Sequence, residues 1–360
     1  MIPISVAMAT YNGARFLREQ LDSIAAQTVL PAELVVTDDG STDDTIAVVR
    51  AFARTAPFPV HVHENPVRLG FRANFMHALE LCTSELIALC DQDDIWEAHK
   101  LERVSAPFTD PEVLLCYHEA WLIDSAGERL GLAHIYPLLD RNLPSSTNPM
   151  LNPYGFAMMV RRRLLDFSEF WELSVDNLQL QHKMAHDQWL FFLASAFGTV
   201  AYIDEPLAGY RQHGNNTYGF AGPARNWRGK VANWVNIRAK DFASLTVAAK
   251  ARASILARAS DRLDETWRQR ARVAIARYET FATHAQLRAA IYDSPSMIGR
   301  LNAWRALHRD GAYANDTRWT FGRKAALVDL GCLIAPKGLL GAVSASGSGK
   351  TTEAPVATKS

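Results

Sequence analysis

Asp91, Asp93 and Asp94 fall within four residues, separated only by Gln92, directly behind the apolar run Leu86 to Cys90. A short apolar run of this kind reads as a buried strand, so the acidic cluster sits where the chain leaves it. Carboxylates packed so tightly repel one another. The arrangement is easiest to understand with a cation in the site and a phosphate behind it. Two further clusters keep it company: Thr37-Asp38-Asp39-Gly40-Ser41 after another apolar run, and His186-Asp187-Gln188-Trp189 further downstream.

The first hundred residues alternate between two periodicities. Ile4 to Ala9 is β-prone and ends at the turn-forming Thr10-Tyr11-Asn12-Gly13, and Phe16, Leu17, Leu21 and Ile24 then recur at helical spacing through Ala26. Leu34 to Thr37 reads as the next strand and Asp43 to Arg54 as a helix, with Ser41 or Thr42 as its cap. Val60 to His63, Asn74 to Leu81 and Leu86 to Cys90 continue as strand, helix and strand. This spacing predicts an α/β fold with βαβ units: a Rossmann-like, mostly parallel sheet with flanking helices. Such sheets bind ligands at the carboxyl ends of their strands. Thr10, Asp39 and Asp91 to Asp94 therefore converge on one expected crevice.

Further along, a strand is expected within 113–123 and a turn at Asp124-Ser125-Ala126-Gly127. Leu138 to Tyr154, with three prolines, reads as an irregular connection able to wall a substrate cleft. Helical spacing returns at Asp187 to Ala196, then a strand at Val200 to Ile203 and a turn at Asp204-Glu205-Pro206. Tyr210-Arg211-Gln212-His213-Gly214-Asn215-Asn216 is too polar for an ordinary strand centre. The organisation expected is a domain over 1–220 whose two parts meet near residue 110, a basic, mostly helical region over 221–342, and a disordered tail over 343–360. In that tail Gly347-Ser348-Gly349-Lys350-Thr351-Thr352 imitates a phosphate loop, but Ser344 stands where its first glycine belongs.

The formal net charge is zero, yet residues 1–220 carry 15 Lys or Arg against 28 Asp or Glu, while 221–340 carry 21 against 9. The acidic part argues against a nucleic-acid partner, whose binding depends on neutralised phosphates. In the basic part, Trp227, Val231, Trp234 and Val235 among Arg225, Arg228, Lys230 and Arg238 admit two readings. One is peripheral contact with a bilayer; the other is a helix covering the catalytic domain or a second subunit of a homo-oligomer. Four cysteines without CxxC spacing read as thiols of a reducing compartment. With no leader-like opening and no apolar stretch long enough to span a bilayer, the expectation is a cytoplasmic protein, in contact at most with the inner face of the cell membrane.

Val6 to Gly13, Val36 to Asp43, Cys90 to Trp96 and His186 to Trp189, in this order, resemble the markers of inverting GT-A glycosyltransferases of family 2. Within that family the chain is most similar to rhamnosyltransferase-like proteins of bacterial cell-surface polysaccharide assembly, over roughly residues 3 to 215. The resemblance implies a GT-A fold and metal-dependent inverting transfer of rhamnose or another hexose. The donor would be a nucleotide-diphosphate sugar, the acceptor a saccharide or lipid-linked saccharide of a growing cell-surface glycan, and the cofactor Mn²⁺ or Mg²⁺.

Carried over residue by residue, Thr10 and Tyr11 would line the base pocket and Asp39 would accept from the base imino group. Arg68 and Asn74 would be donor-site neighbours, Gln92 would approach the ribose, and Arg211 would meet phosphate or pair with an acidic loop. Asp93 would be the principal metal carboxylate, with Asp91 orienting the metal shell and His213 closing over the metal or diphosphate. Asp187 would be the general base, positioned by His186 and Gln188. Tyr154, Phe156 and Trp189 are the acceptor-side aromatics, with core packing the competing role for Tyr154 and Phe156. The competing readings are an acidic turn for Asp91 to Asp94, a helix cap for Asp187, and a catalytically inactive glycan-binding or scaffold protein for the whole.

Overall fold

A computed structural model describes residues 2–136, 138–148, 150–213, 239–314 and 319–334. The basic segment around Trp227, the residues Asn215 and Asn216 and the tail beyond 343 lie outside these.

The chain divides into two compact units, 1–220 with 247–279, and 221–246 with 280–360. In the first, β1 (Ile4–Thr10), β2 (Glu33–Asp38), β3 (Val60–Glu64) and β4 (Leu86–Cys90) pair in the parallel order β3-β2-β1-β4. The helices α1 (Ala14–Ala25), α2 (Thr45–Ala53) and α3 (Phe71–Leu81) connect them. β2 and β4 are buried throughout, as expected of strands covered on both faces. The helical stripe read from sequence is the buried face of α1: Phe16, Leu17, Leu21 and Ile24 are each at most 7% exposed. Burying such side chains contributes roughly 1.5–3 kcal/mol each, so this face, rather than helix propensity, fixes α1 on the sheet.

Register places the site. Thr10 pairs with Asp38, and Met8 with Cys90, so the exits of β1, β2 and β4 open at one level. Beyond β4 the sheet becomes mixed: β9 (Met158–Arg161) runs antiparallel between β4 and β6 (Val113–Ile123), and β10 (Thr199–Arg211) lies parallel to β6. The short β5 (Ile95–Trp96) pairs antiparallel with β10, as does β8 (Arg141–Asn142), and β7 (Arg129–Leu132) pairs antiparallel with β6. This is the α/β arrangement expected: a mostly parallel half with flanking helices, fused to a mixed half.

Local expectations failed in two places. The α2 helix begins at Thr45, and neither Ser41 nor Thr42 caps it; Ser41 instead accepts from the Asn12 amide at 2.8 Å, tying the two strand exits together. No turn ends the strand at Asp204-Glu205-Pro206, because β10 passes through with register shifts around Pro206. Tyr210 and Arg211, in a stretch too polar for an ordinary strand centre, close the end of β10 in buried positions. Arg211 tolerates this because its protons are taken by neighbouring oxygens.

The helix α5 (His186–Phe197) follows a second irregular stretch and is buried along most of its length. Trp267 stacks on Phe197 with ring centres 4.8 Å apart, which anchors residues 247–279 to the first unit's own core. The second unit is helical, with Ile291, Ala303, Leu307, Ala312 and Tyr313 at its centre. There the Arg288 guanidinium donates to both oxygens of fully buried Asp329, at 2.8 and 3.1 Å, and the hydroxyls of Tyr292 and Tyr313 donate to the same carboxylate. A buried ion pair is tolerable when its remaining lone pairs are filled in this way. Among the described residues no helix is long and apolar enough to cross a membrane. All four cysteines are free thiols.

Candidate active site

The exits of β1, β2 and β4 form a braced floor. Asp39 is 3% exposed and accepts from the amides of Leu69 and Gly70, at 2.6 and 2.8 Å, and from Asn65 at 3.2 Å. Gly70 permits this loop: its φ is +81°, the left-handed region that glycine enters without penalty. The exposed guanidinium of Arg68 lies 4.0 Å from the centre of the Tyr11 ring and 3.9 Å from the Asp39 carboxylate. Tyr11, Asp39 and Arg68 thus combine a flat aromatic face, an acceptor and a mobile cation, a suitable setting for a planar heterocycle.

Thr10 is buried, and its hydroxyl donates to Asp38 at 2.8 Å. Asn74, expected beside the donor, is 2% exposed; its amide donates to the carbonyls of Thr10 and Thr37 and its oxygen accepts from Asn65. It braces the floor from below. Gln92, expected at the ribose, exchanges two hydrogen bonds with the Tyr11 main chain, at 2.9 and 3.2 Å. Its amide fills the space over Gly13, where a Cβ would lie 2.2 Å from Oε1, so a larger residue there would displace the Gln92 amide.

The acidic cluster divides by environment. Asp94 is fully buried and accepts from the Arg211 amide at 3.0 Å; burial first, then Asp93 and Asp91, push its carboxyl well above the usual range. Asp91 is pushed up to about 7, by burial and then by the charges of Asp93 and Asp187. Asp93 reaches the cleft, and its Oδ2 lies 2.7 Å from Nε2 of His213. Arg211, expected to meet phosphate or pair with an acidic loop, is fully enclosed: its guanidinium donates to the carbonyls of Asp93, Asp124 and Ser125 and to Glu19. It fixes the main chain that carries Asp93.

Among the described residues no three His, Cys, Asp or Glu side chains converge into a complete metal-ligand set. The donor set nevertheless fits a hard divalent cation, which takes one or two carboxylates and completes its shell with waters and substrate phosphates. Burial first and then mutual repulsion raise Asp91 and Asp94, and such a charge would relieve the repulsion.

Across the cleft, Asp187 stands at the start of α5, where its Oδ1 accepts from the Gln188 amide at 2.7 Å. Burial pushes its carboxyl up to about 6. His186 stacks on Phe75 with ring centres 3.8 Å apart, and burial, then the charge of Arg72, drive its imidazole down to about 3, so it is neutral. Gly155 allows the acceptor-side loop to lie on these residues: a Cβ there would sit 2.5 Å from His186 Nε2 and 3.5 Å from Asp187 Cβ. Of the three expected acceptor-side aromatics, Tyr154 is partly exposed, while Phe156 and Trp189 are buried in the core.

Three contributors carry no local signature in sequence. Lys100 is 1% exposed beneath the acidic cluster, and burial pushes its ammonium down to about 7 against the pull of Cys90, Asp94 and Asp91. Arg72 donates to buried Asp176 at 2.9 Å, and the charges of both reach Asp187. Asn65 links Asp39, Asn74 and His77.

Residues 5–167 match the description "Glycosyl transferase family 2". An uncharacterized glycosyltransferase of Nostoc sp. is 29% identical over 223 residues, 60% of this chain and 66% of the relative, so the chain spans just under two thirds of that protein. The dTDP-rhamnosyl transferase RfbG of Shigella flexneri is 26% identical over 227 residues, 59% of this chain and 73% of the relative. TarS 1–349 of S. aureus in complex with UDP-GlcNAc superposes with a TM-score of 0.49 at 16% identity, covering 87% of this chain and 93% of that one. Residues 5–167 thus resemble a family 2 glycosyltransferase domain, and the strand exits and the acidic cluster described above lie within that stretch.

Proposed function

We propose that this protein transfers a hexose, rhamnose being the leading candidate, from a nucleotide-diphosphate donor to a hydroxyl of a growing cell-surface glycan, with inversion at the anomeric carbon. The observation that carries the reading is the division of carboxylates across one cleft. Asp93 meets His213 at the strand exits, while Asp187, whose charge reaches Asp91, stands apart on α5 with a raised affinity for a proton. The rhamnosyl transferase relative supports the sugar.

The base would rest against Tyr11 and Arg68, with Asp39 accepting a hydrogen bond from its imino N–H. Asp93, His213 and Asp91 would hold Mn²⁺ or Mg²⁺, which when bound stabilises the charge that gathers on the departing diphosphate. Asp187 takes the proton of the acceptor hydroxyl as that oxygen attacks the anomeric carbon and the bond to the diphosphate breaks. Its affinity near pH 6 suits a base that must be ionised at neutral pH yet still accept a proton. Neutral His186 and the Arg72–Asp176 pair set the field around it without competing for the proton.

The test is a panel of dTDP-, UDP- and GDP-linked hexoses assayed with and without Mn²⁺, following both hydrolysis and transfer to simple hexosides. Metal-dependent turnover of one donor class is expected. Glycan binding with no nucleotide affinity, with or without metal, would instead identify an inactive scaffold.

A further inference from the structure

Lys100 belongs to α4 (Lys100–Ser105) and to none of the four sequence clusters, yet it touches structures on both sides of the cleft. Its ammonium donates to the Phe156 carbonyl at 2.7 Å and lies 3.8 Å from the centre of the Trp96 ring. Burying an ammonium is costly, so a position 1% exposed and tied to a single main-chain carbonyl calls for a reason.

The surroundings supply one. Phe156 stacks on Tyr210 with ring centres 4.7 Å apart, and the next residue, Arg211, holds the Asp93 carbonyl at 2.8 Å. Trp96 pairs with Ala208 on the same strand. On the other side, Gly155 presses the loop against His186 and Asp187. One ammonium therefore anchors the acceptor-side loop and adds its charge beneath Asp91 and Asp94.

We propose that Lys100 is a positioning residue that couples the halves of the site: tethered to the Phe156 carbonyl, it holds the 154–156 loop in the alignment an acceptor needs, while nucleotide binding does not depend on it. This rests on the transferase reading above. The step it serves is unchanged in its balance, because Lys100 neither gives nor takes a proton.

The experiment compares wild type with Lys100→Met, Lys100→Gln and Lys100→Arg, using the nucleotide sugar that wild type hydrolyses and p-nitrophenyl hexosides as acceptor probes. For Lys100→Met, transfer should fall about a hundredfold, with a raised acceptor KM, as expected for lost alignment. Nucleotide Kd measured without metal should stay within about twofold of wild type, and donor hydrolysis should fall far less than transfer. Lys100→Arg, which keeps charge and donors, should recover much of the transfer. If Lys100→Met does not fold, Lys100→Gln decides, and must show the same selective loss. Parallel loss of hydrolysis and transfer in a folded variant, or no loss of transfer, overturns the role of Lys100 alone. A wild-type chain that turns over no donor overturns the transferase reading, and this inference with it.

Discussion

Asp39 and Asp187 are both aspartates at the edge of the same cleft, and their surroundings differ sharply. Asp39 accepts from two main-chain amides and from Asn65, whereas the hydrogen bond given to Asp187 comes from the adjoining Gln188 amide. An acid surrounded by donors is held in place and already satisfied, which suits recognition of a ligand's shape. An acid that is half-buried with little support retains its appetite for a proton, which suits chemistry. The braced end of the cleft is therefore the better candidate for holding the nucleotide, and the poorly supported end for reaction.

Substitutions at the two ends should separate these roles. Asp187→Asn should lower transfer about a thousandfold with nucleotide affinity retained, the scale of a lost general base. Transfer near the wild-type rate in a steady-state assay would remove Asp187 from the mechanism. Asp93→Ala should cost about a hundredfold in turnover and weaken the response to Mn²⁺; a metal titration with unchanged midpoint and amplitude would break the assignment.

Acidity gives a third handle. Because Asp187 must be ionised to accept a proton and its affinity lies near pH 6, kcat should rise with pH through about 6 and level off above it. A kcat flat from pH 5 to 8 would contradict this. The smallest effect belongs to the braced end: Asp39→Asn should raise donor KM about tenfold, the value of one hydrogen bond to a charged group, with kcat little changed. Loss of kcat with KM intact would reverse the comparison between the two aspartates.

Much of this was legible before any coordinates. The exits of β1, β2 and β4 announce themselves because a parallel strand is a short apolar run and its exit loop is polar, so Thr10, Asp39 and Asp91 to Asp94 are grouped by topology alone. Orientation within the group was not legible. Gln92 turns to the Tyr11 main chain and Arg211 inward to Glu19 and three carbonyls, choices made by partners distant in sequence. Lys100 escaped notice for the same reason, since a lysine in a short helix reads as surface until the carbonyl it meets is known. The Asp204 to Pro206 stretch misled through composition: turn residues entered β10 as irregularities in register instead of ending it.

The common level at which β1, β2 and β4 end has a consequence for how the protein fails. In a sheet, sliding one strand by a single residue turns every side chain to the opposite face. The Thr10–Asp38 and Met8–Cys90 pairings that align the exits also keep Val6, Val36 and Leu89 packed inside. Ligand recognition therefore has no softer mode of decay than the sheet itself: on heating, the ability to hold a nucleotide should vanish at the temperature at which the sheet melts, and not before.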